Sequence, residues 1–473
     1  MLTSVDPTPT EFLRPNDVLF KRNLPREHGF ETLEVDGTIP RDLRGTLYRN
    51  GPGLFELFGR RYGHMFEADG AVSAMRFENG RVLGGARVTA GPQLQKERAA
   101  GKMLYGFNVP WPQRLVRAVR DGIKNTANTN VIGWQGRLFA LMEACKPIEV
   151  DANTLQTIGE TDLDGVVRSA FSAHPHAVPA RNASYNFGVR YGRTTVIDLY
   201  ELPDRGAARC LGSVPLPAGP LLHDFIATDR HLIFFVAPLR VQTLRAILGI
   251  APFDKLFQWE GEHGCEIIVV PIDAPDQVTR FTVDSFWQWH FANAFERNGQ
   301  IVVDYVRYPD AASFEALGSI DEEFLTQGRL SRAIIDPARK TLGNEPLWDR
   351  GCEFPRVHPE REARDYRYTW VQTEAPHGIA RFDVEAGEAM TYDLPEHQRA
   401  SEPVFVPRRV SAGTPGDESD GYALTLIYDG AVDRSCVAVF DAARLPDGPI
   451  GRAWFDHSIP ITFHGNWLAS PGQ

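Results

Sequence analysis

Four histidines lie in strand-like apolar segments that are spread over most of this 473-residue chain. They occur in SAFSAHPH, PLLHDFIAT, WQWHFANAFE and ITFHGNW, as His174, His223, His290 and His464. An unpaired imidazole in an apolar strand costs free energy, so each of the four needs a partner. None has a carboxylate or cysteine ligand at the spacing of a local zinc motif, whereas one shared divalent transition metal satisfies all four. The pattern therefore favours a site that the whole fold assembles from four distant segments, although any one of these histidines taken alone is more simply a core residue.

Short β-branched runs separated by turn residues recur along the chain and predict an all-β fold. Among them are TTVIDLY, LIFFVAP, EIIVVPI and IVVDYVRY, and YALTLIYDGAVDRSCVAVFDA predicts a hairpin that turns near Asp429 and Gly430. No long low-complexity linker divides the chain, so we expect one domain over residues 1–473. An undivided all-β chain of this length favours stacked sandwiches or a propeller, and no internal repeat decides between them.

The composition argues against several classes of protein. A formal net charge of −11 argues against nucleic acid as a general partner. Five cysteines, an odd number without a CxxC pair, indicate reduced thiols. The N-terminal segment lacks the apolar stretch of a signal peptide, and the longest apolar run, LIFFVAPL, is too short to span a bilayer. We therefore expect a cytoplasmic protein that does not cross a membrane.

Three glutamates occur in settings as apolar as those of the histidines. They are Glu143 in RLFALMEA, Glu353 in GCEFPRV and Glu402 in SEPVFVP. A metal-bound imidazole usually donates its second N–H to a carboxylate or a carbonyl, so these glutamates are candidate partners of the histidines. For each one alone, a solvated strand end is the simpler interpretation. Their occurrence together with the four histidines favours the site.

Residues 49–82, RNGPGLFELFGRRYGHMFEADGAVSAMRFENGRV, resemble the N-terminal signature of the carotenoid cleavage oxygenases. The motifs that follow in that family's order are KNTANTNVIGWQGRLFALMEA, SAHPH, LLHDF, HFANAFE, EFPRV, SEPVFVP and FHGNW. The resemblance covers residues 15–468. It implies a seven-bladed β-propeller with ferrous iron on its axis, capped by helices and loops.

The resemblance also implies a role for each matched residue. The four histidines match the iron ligands, and three of them have an outer carboxylate. Those pairs are Glu143 with His223, Glu353 with His290, and Glu402 with His464.

Two more positions are matched near the iron. Thr129 matches a residue that crowds one open coordination position. Met142 stands where the stilbene-cleaving relatives have a lysine that contacts a phenolic hydroxyl, so this position favours a polyene. The aromatic residues Trp289, Phe291 and Phe354 either line an apolar tunnel or belong to the propeller core.

The expected reaction is the cleavage of one C=C bond of a carotenoid or apocarotenoid. Four neutral ligands leave the iron its +2 charge and two adjacent positions for O2, and the products are two carbonyl compounds. A stilbene-cleaving dioxygenase is the alternative within the family, and the NGPGLFE motif keeps isomerohydrolase chemistry open. A non-catalytic propeller that binds apolar ligands is the alternative outside it. A calcium- or zinc-dependent hydrolase fits four histidines less well.

A long polyene is almost insoluble in water, so we expect the enzyme to collect it from a bilayer. Residues 112–125, PQRLVRAVRDGIKN, predict an amphipathic helix, and residues 234–256 offer a second apolar patch. The alternative is an ordinary helix docked on the propeller. The apolar side of the predicted helix comprises Leu115, Val116, Val119 and Ile123. The basic side, which we expect to meet lipid phosphates, comprises Arg114, Arg117, Arg120 and Lys124.

Overall fold

The computed structural model describes residues 12–216, 219–242, 253–317, 328–408 and 417–470. Within these residues the large sheets are antiparallel and form the seven blades of a β-propeller, which confirms the predicted fold class. The described α-helices are short and lie between strands or before them. They are Pro15–Leu19, Pro92–Ala100, Trp111–Asp121 and Ala312–Ala316.

The first blade contains strands from both ends of the described chain. From its outer edge inward, the strands are His28–Thr32, Arg81–Val88, Asp69–Glu78, Gly45–Leu54 and His464–Ala469. Asn50 pairs with His464 across the two innermost strands. The last blade contains Glu34–Gly37, Pro449–Trp454, Arg434–Asp441, Gly421–Asp429 and Gln398–Ala400, with Val404–Pro407 also paired to Gly421–Asp429. The early strand Glu34–Gly37 thus completes the last blade, and the late strand His464–Ala469 completes the first. The ring is therefore closed by two separate strand pairings between the ends of the described chain.

The five blades between them follow the chain from the axis outward. The second contains Asn130–Trp134, Arg137–Leu141, Ile148–Val150 and Thr157–Glu160. The third contains His176–Val178, Ala183–Arg190, Thr195–Pro203 and Arg209–Leu216. The fourth contains Ile226–Ala227, His231–Val236, Cys265–Pro271 and Thr279–Val283.

One long strand, Thr341–Val357, links the fifth blade to the sixth because its first part pairs in one and its last part in the other. The fifth blade also contains Trp287–Arg297, Gln300–Tyr308 and Arg329–Asp336. The sixth also contains Tyr368–Thr373, Gly378–Asp383 and Glu388–Asp393. Two small hairpins lie outside the blades, Glu56–Leu57 with Arg60–Arg61 and Leu239–Val241 with Phe257–Trp259.

The apolar runs that predict strands are buried because each blade packs between two others. Phe187 of the third blade contacts Phe234 of the fourth with ring centroids 5.5 Å apart, and Phe225 lies between them. The predicted hairpin is present, since Asp429 pairs with Arg434 next to its turn. Burial of apolar surface between blades, at roughly 25 cal/mol per Å², is the main source of stability for such a ring.

The innermost strands place the predicted site residues at one end of the propeller axis. Neighbouring inner strands contact one another around the ring, and Asn130 Nδ2 donates a hydrogen bond to the carbonyl of Ala173 between the second and third blades. Each blade supplies one predicted residue at, just before or a few residues after the start of its inner strand. In blade order these are His464, Thr129, His174, His223, His290, Glu353 and Glu402.

The predicted helix over residues 112–125 is observed as Trp111–Asp121. It ends early because Gly122 has a φ of +73°, a backbone conformation that breaks the helix. Val116, Val119 and Ile123 are 63%, 82% and 63% exposed. Of the second predicted patch, residues 243–252 lie outside the described residues.

Lys124 was expected to face lipid phosphates, and this prediction is wrong. Its side chain is buried, and its ammonium group contacts Asp69 at 2.6 Å and Glu97 at 3.0 Å. Lys124 also donates to the hydroxyl of Tyr62 at 2.6 Å. Together with Glu67, whose carboxylate accepts the N–H of Phe107, these residues form a buried polar group beneath the helix. We call Tyr62, Glu67, Asp69, Glu97 and Lys124 the Lys124 cluster.

Two of the predicted arginines of this helix, Arg114 and Arg117, also turn toward the protein. Arg117 donates to the carbonyl of Leu104, and Arg114 donates to the carbonyl of Phe107 at 3.3 Å. Arg120 pairs with Asp121 at 2.8 Å. The surroundings therefore meet the apolar side chains and Arg120, which is 64% exposed, whereas Arg114 and Arg117 are partly covered.

Candidate metal centre

The structure brings the four predicted histidines together on the propeller axis, and all four are buried. One ring nitrogen from each of His174, His223 and His290 lies within 4.8 Å of the others, an arrangement that can hold a metal ion. The Nε2 atoms of His223 and His290 are 3.2 Å apart. The ring of His464 lies beside this group, with its centroid 4.7 Å from that of His174 and 4.6 Å from that of His290.

Three of the imidazoles are held through Nδ1 by the glutamates that the family resemblance pairs with them. Glu143 contacts Nδ1 of His223. Glu353 Oε2 lies 2.5 Å from Nδ1 of His290, and Glu402 Oε1 lies 3.0 Å from Nδ1 of His464. A carboxylate that accepts the Nδ1–H bond fixes the tautomer and leaves the lone pair on Nε2. Each of these rings therefore offers Nε2 as a metal ligand.

His174 is different from the other three histidines. Its Nε2 atom is buried and has no hydrogen-bond partner among the described residues. A buried nitrogen without a partner costs free energy unless a ligand satisfies it. This nitrogen faces the same small space as the other imidazoles, because its ring centroid is 4.4 Å from that of His223. A metal ion shared by the rings supplies the missing partner.

Glu402 has the most strongly charged surroundings of the three glutamates. Arg49, which is fully buried, donates to Glu402 Oε2 at 2.6 Å, and the N–H of Gly465 donates to the same oxygen at 3.0 Å. Arg356 lies 3.4 Å from Oε1. Burial alone raises the pKa of Glu402, but Arg356, His464 and Arg49 together hold it well below its usual range. Glu402 is therefore ionised.

Neither of the other two carboxylates is described with an arginine partner. Glu353 accepts hydrogen bonds from neutral groups, and Glu143 is partly exposed to solvent. Glu353 accepts the hydroxyl of Tyr308 and the N–H of Phe354, each at 2.7 Å, in addition to His290. Glu143 lies in the loop after Arg137–Leu141, and its side chain is partly exposed. Sequence reasoning missed Arg49, Arg356 and Tyr308. The RNGPGLFE motif contains Arg49 and the EFPRV motif contains Arg356, so a signal was available for two of them.

The low pKa values of His174 and His464 suit a transition metal. Burial and the neighbouring imidazoles lower the pKa of His174 well below its ordinary value. Burial lowers the pKa of His464 to about 4, although Glu402 opposes this shift. Burial also lowers the pKa of His290, but Glu353 outweighs it and the net direction is upward. Uncharged nitrogen ligands favour iron, copper or zinc over calcium and magnesium, which take oxygen ligands.

Thr129 and the aromatic residues pack around the histidines. Thr129 is buried, and its carbonyl accepts the N–H of His464 at 3.3 Å. Trp289 meets His223 edge-on, with centroids 4.8 Å apart, and Phe354 stacks on His290 at 5.0 Å. Phe291 belongs to an apolar core between the fourth and fifth blades. Met142 lies half-buried in the loop that also contains Glu143.

A cavity on the axis leads to the histidines, and part of its lining is polar. It is lined by His174, His290 and His464 together with His176, Asp224 and Arg356. Asp224 accepts hydrogen bonds from the ring of His176 at 2.9 Å and from the N–H of Phe291 at 3.0 Å. Neither Thr129 nor Met142 lines this cavity.

Comparison with known proteins identifies the family and the fold. The sequence model of the retinal pigment epithelial membrane protein family, which includes the carotenoid cleavage oxygenases, matches residues 22–469. The chain belongs to this family. It is 33% identical over 467 residues to the apocarotenoid-15,15'-oxygenase of Synechocystis sp., and the match covers 94% of each chain. It is 28% identical to the lignostilbene-alpha,beta-dioxygenase isozyme III of Sphingomonas paucimobilis, with 92% of this chain and 93% of that protein covered.

Solved structures of this oxygenase family show the same architecture. A single-residue variant of the Synechocystis apocarotenoid oxygenase superposes with a TM-score of 0.87 at 31% identity, covering 97% of this chain and 100% of that one. A cobalt-substituted form of the same enzyme also gives 0.87, covering 96% and 99%. The present chain is accordingly an oxygenase with a seven-bladed propeller and a histidine cluster that can hold a metal.

Proposed function

We propose that this oxygenase holds Fe(II) on His174, His223, His290 and His464. With O2, it cleaves one C=C bond of a carotenoid or apocarotenoid and forms two carbonyl products, so that each carbon of the former double bond receives one oxygen atom. The proposal depends chiefly on one observation. Three buried imidazoles have Nδ1 against a carboxylate, and the fourth has a buried Nε2 without a partner in the described chain.

The distances between the rings fit one shared ion. Two imidazole nitrogens bound at about 2.1 Å with a right angle between them lie about 3 Å apart. The Nε2 atoms of His223 and His290 are 3.2 Å apart. When bound, iron supplies the redox chemistry that activates O2. The protein residues orient the imidazoles through Glu143, Glu353 and Glu402, and the aromatic rings of Trp289 and Phe354 keep the surroundings of His223 and His290 apolar.

Metal analysis of protein purified without oxygen tests this assignment. We expect one equivalent of iron in the wild type, and neither iron nor activity in His464→Ala. The matched control is His397→Ala, which removes a partly exposed histidine away from the axis and leaves iron unchanged. Stoichiometric iron in His464→Ala contradicts the assignment. A wild type that binds no transition metal supports the alternative of a non-catalytic propeller.

We infer a polyene substrate from Met142. An apolar, flexible side chain beside Glu143 offers no hydrogen bond to a phenolic hydroxyl. The similarity also favours this substrate, because identity to the apocarotenoid oxygenase is 33% and identity to the lignostilbene dioxygenase is 28%. A stilbene substrate remains the second candidate.

Parallel assays with an apocarotenoid and a hydroxylated stilbene decide between these substrates. The wild type is expected to prefer the apocarotenoid. Met142→Lys is expected to shift the ratio of kcat/KM toward the stilbene, and Met142→Leu, which keeps the side chain apolar, leaves the ratio near that of the wild type. Faster wild-type turnover of the stilbene than of any polyene contradicts the inference.

We also propose that helix Trp111–Asp121 and the following Ile123 touch a membrane surface, from which the enzyme collects its substrate. Trp111, Val116, Val119 and Ile123 are all exposed, and every described residue of the helix is at least partly accessible. None of the described helices is long and apolar enough to span a bilayer. Lying in the interface is the mode that fits a short helix with one apolar side. The cytoplasmic location expected from the sequence stays a prediction.

Co-sedimentation with liposomes tests the membrane contact. The double variant Val119→Asp, Ile123→Asp is expected to lose most of its binding. The matched control is Ile158→Asp, Val432→Asp, which adds the same charge at side chains that are 62% and 55% exposed elsewhere. Equal binding by wild type and the helix variant contradicts the proposal. Equal loss in both variants shows that net charge, rather than this helix, sets the binding.

A further inference from the structure

A second pair of histidines approaches as closely as the pair on the axis. Nε2 of His28, in the outer strand of the first blade, lies 3.0 Å from Nε2 of His457, in the segment before His464. The two rings are nearly perpendicular, with an angle of 87° and centroids 5.2 Å apart. Both rings are almost fully buried. The sequence gives no sign of this pair, because the two residues are 429 positions apart.

Two neutral imidazoles hold one proton too few for the contacts that this pair makes. His28 Nδ1 lies 2.8 Å from the carbonyl of Gly29, and His457 Nδ1 lies 2.9 Å from the carbonyl of Ser458. A carbonyl only accepts, so each Nδ1 must bear a proton. Two neutral imidazoles then present two lone pairs to each other at Nε2. The two contacts to carbonyls and the contact between the Nε2 atoms each need a proton, and two neutral rings hold only two protons.

A cation between the Nε2 atoms resolves this conflict, and its surroundings favour a metal over a proton. Burial lowers the pKa of His28, and Arg26 lowers it further, although the neighbouring carbonyl opposes both. A metal ion, unlike a proton, recruits further ligands. Asp456 Oδ1 is 3.9 Å from Nε2 of His457, and the aspartate is 67% exposed, so it can rotate toward the ion and water can complete the coordination.

We propose that His28 and His457 form a second site for a divalent transition metal of the zinc class, with Asp456 as a third ligand. Neutral imidazole and carboxylate are common zinc ligands, and two nitrogens on a tetrahedral zinc at 2.0–2.1 Å lie about 3.3 Å apart. The observed 3.0 Å is within a few tenths of that separation. Arg26, which bridges Glu31 and Asp456 at 2.9 Å each, has to release Asp456 when the ion binds.

The position of the site gives it a structural consequence. It joins an edge strand of the first blade to the segment that leads into His464. A metal bound only by the folded state stabilises that state according to its concentration and affinity. Zinc bound here therefore stabilises the contact between the first blade and the segment before His464, and it does not bind the axial histidines.

Titration of the iron-loaded enzyme with Zn²⁺ and, separately, Co²⁺ tests the proposal. Calorimetry is expected to show one binding event beyond the iron, and Co²⁺ is expected to give visible absorption bands of a low-coordinate site. Zn²⁺ is also expected to raise the Tm. His28→Gln and His457→Gln are expected to lose the event, the bands and the rise in Tm, while retaining iron and activity.

Two further variants sharpen the result. His263→Gln removes an exposed histidine that pairs with Glu260, and it is expected to bind like the wild type. Asp456→Asn retains both imidazoles and is expected to bind more weakly. The proposal is overturned if the wild type binds no metal beyond its iron, a result that does not depend on any variant folding and that leaves a shared proton as the cation. Undiminished binding in His457→Gln also overturns it.

Discussion

The pKa values of two buried carboxylates in this molecule are shifted in opposite directions, although burial alone raises both. Glu402, on the axis, has a pKa well below its usual range because two guanidinium groups and His464 outweigh the effect of burial. Glu67, in the Lys124 cluster beneath the exposed helix, has a pKa of about 7. Burial is the largest cause of that upward shift, and the N–H of Phe107 and the Lys124 ammonium only partly oppose it.

The difference lies in the number of cations beside each carboxylate. Arg49 and Arg356 both face Glu402. In the Lys124 cluster, one ammonium contacts Asp69 and Glu97 directly, and Glu67 has no salt bridge to it within the described residues. Charge at the axis is therefore fixed across the physiological pH range, as a metal site with constant ligands requires. Charge beneath the helix is adjustable near neutral pH.

The largest expected effect comes from removing a cation at the axis. Arg49→Met leaves Glu402 buried with only the more distant Arg356, and breaking a buried ion pair in this way costs about 3–5 kcal/mol of unfolding free energy. Denaturant unfolding measures the loss. The control is Arg137→Met, because Arg137 is 39% exposed in its pair with Glu149 and such a pair contributes about 1 kcal/mol or less. Equal losses in the two variants would mean that burial of Arg49 does not matter.

A smaller effect, dependent on pH, is expected from Glu67. The unfolded chain releases this proton near the ordinary pKa of 4.5, whereas the folded protein releases it near pH 7. The unfolded state therefore binds fewer protons between these values, and stability falls as the pH rises through them. The fall attributable to Glu67 is at most about 3 kcal/mol.

Unfolding of wild type and Glu67→Gln at pH 5 and pH 8 isolates this contribution. The glutamine keeps an acceptor for the N–H of Phe107 but does not titrate. Its unfolding free energy is expected to fall less between the two pH values than that of the wild type. Parallel pH dependence in the two proteins would show that Glu67 is ionised throughout and that the contrast with Glu402 is wrong.

The smallest expected effect is the difference between Glu402, the most enclosed of the three axial carboxylates, and Glu143, the most exposed. Outer carboxylates contribute about 10–100-fold to metal affinity or activity. Glu402→Gln leaves Arg49 and Arg356 facing a neutral amide, so we expect a loss in kcat/KM near the upper limit. Glu143→Gln, at a partly exposed loop residue, is expected near the lower limit. Iron content and kcat/KM of both variants measure the difference, and a larger loss in Glu143→Gln would reverse the comparison.

The strands and the candidate residues of the axial site could be predicted from local signals, whereas the choice of a seven-bladed propeller depended on the resemblance to the family. An apolar strand around a histidine is visible in the chain, and so is a glutamate before FPRV or within SEPVF. The arginine partners of Glu402 were not predicted, because the pairing of Arg49 with a residue 353 positions away depends on how the blades close. The extent of one domain over residues 1–473 stays a prediction.

The basic side of the predicted helix shows where a local pattern misleads. Its spacing correctly predicts an amphipathic helix, with apolar side chains exposed at Val116 and Val119. The pattern cannot show that Lys124 is drawn inward, because Asp69 and Glu97 lie in other elements of the chain. Helical spacing predicts which residues lie on the same side of a helix. Whether a charged residue on that side faces solvent depends on the ion pairs that it makes with other elements.

The double closure of the ring sets an order of events during synthesis. The middle blades are built from consecutive strands and can form as they leave the ribosome, since their contacts are local in sequence. The first blade waits for His464–Ala469, whose pairing with Gly45–Leu54 spans more than four hundred residues. That same strand begins with a candidate iron ligand. A metal ion that needs all four histidines can therefore be bound only by a chain whose ring has closed, so metal content reports how much of the protein has completed folding.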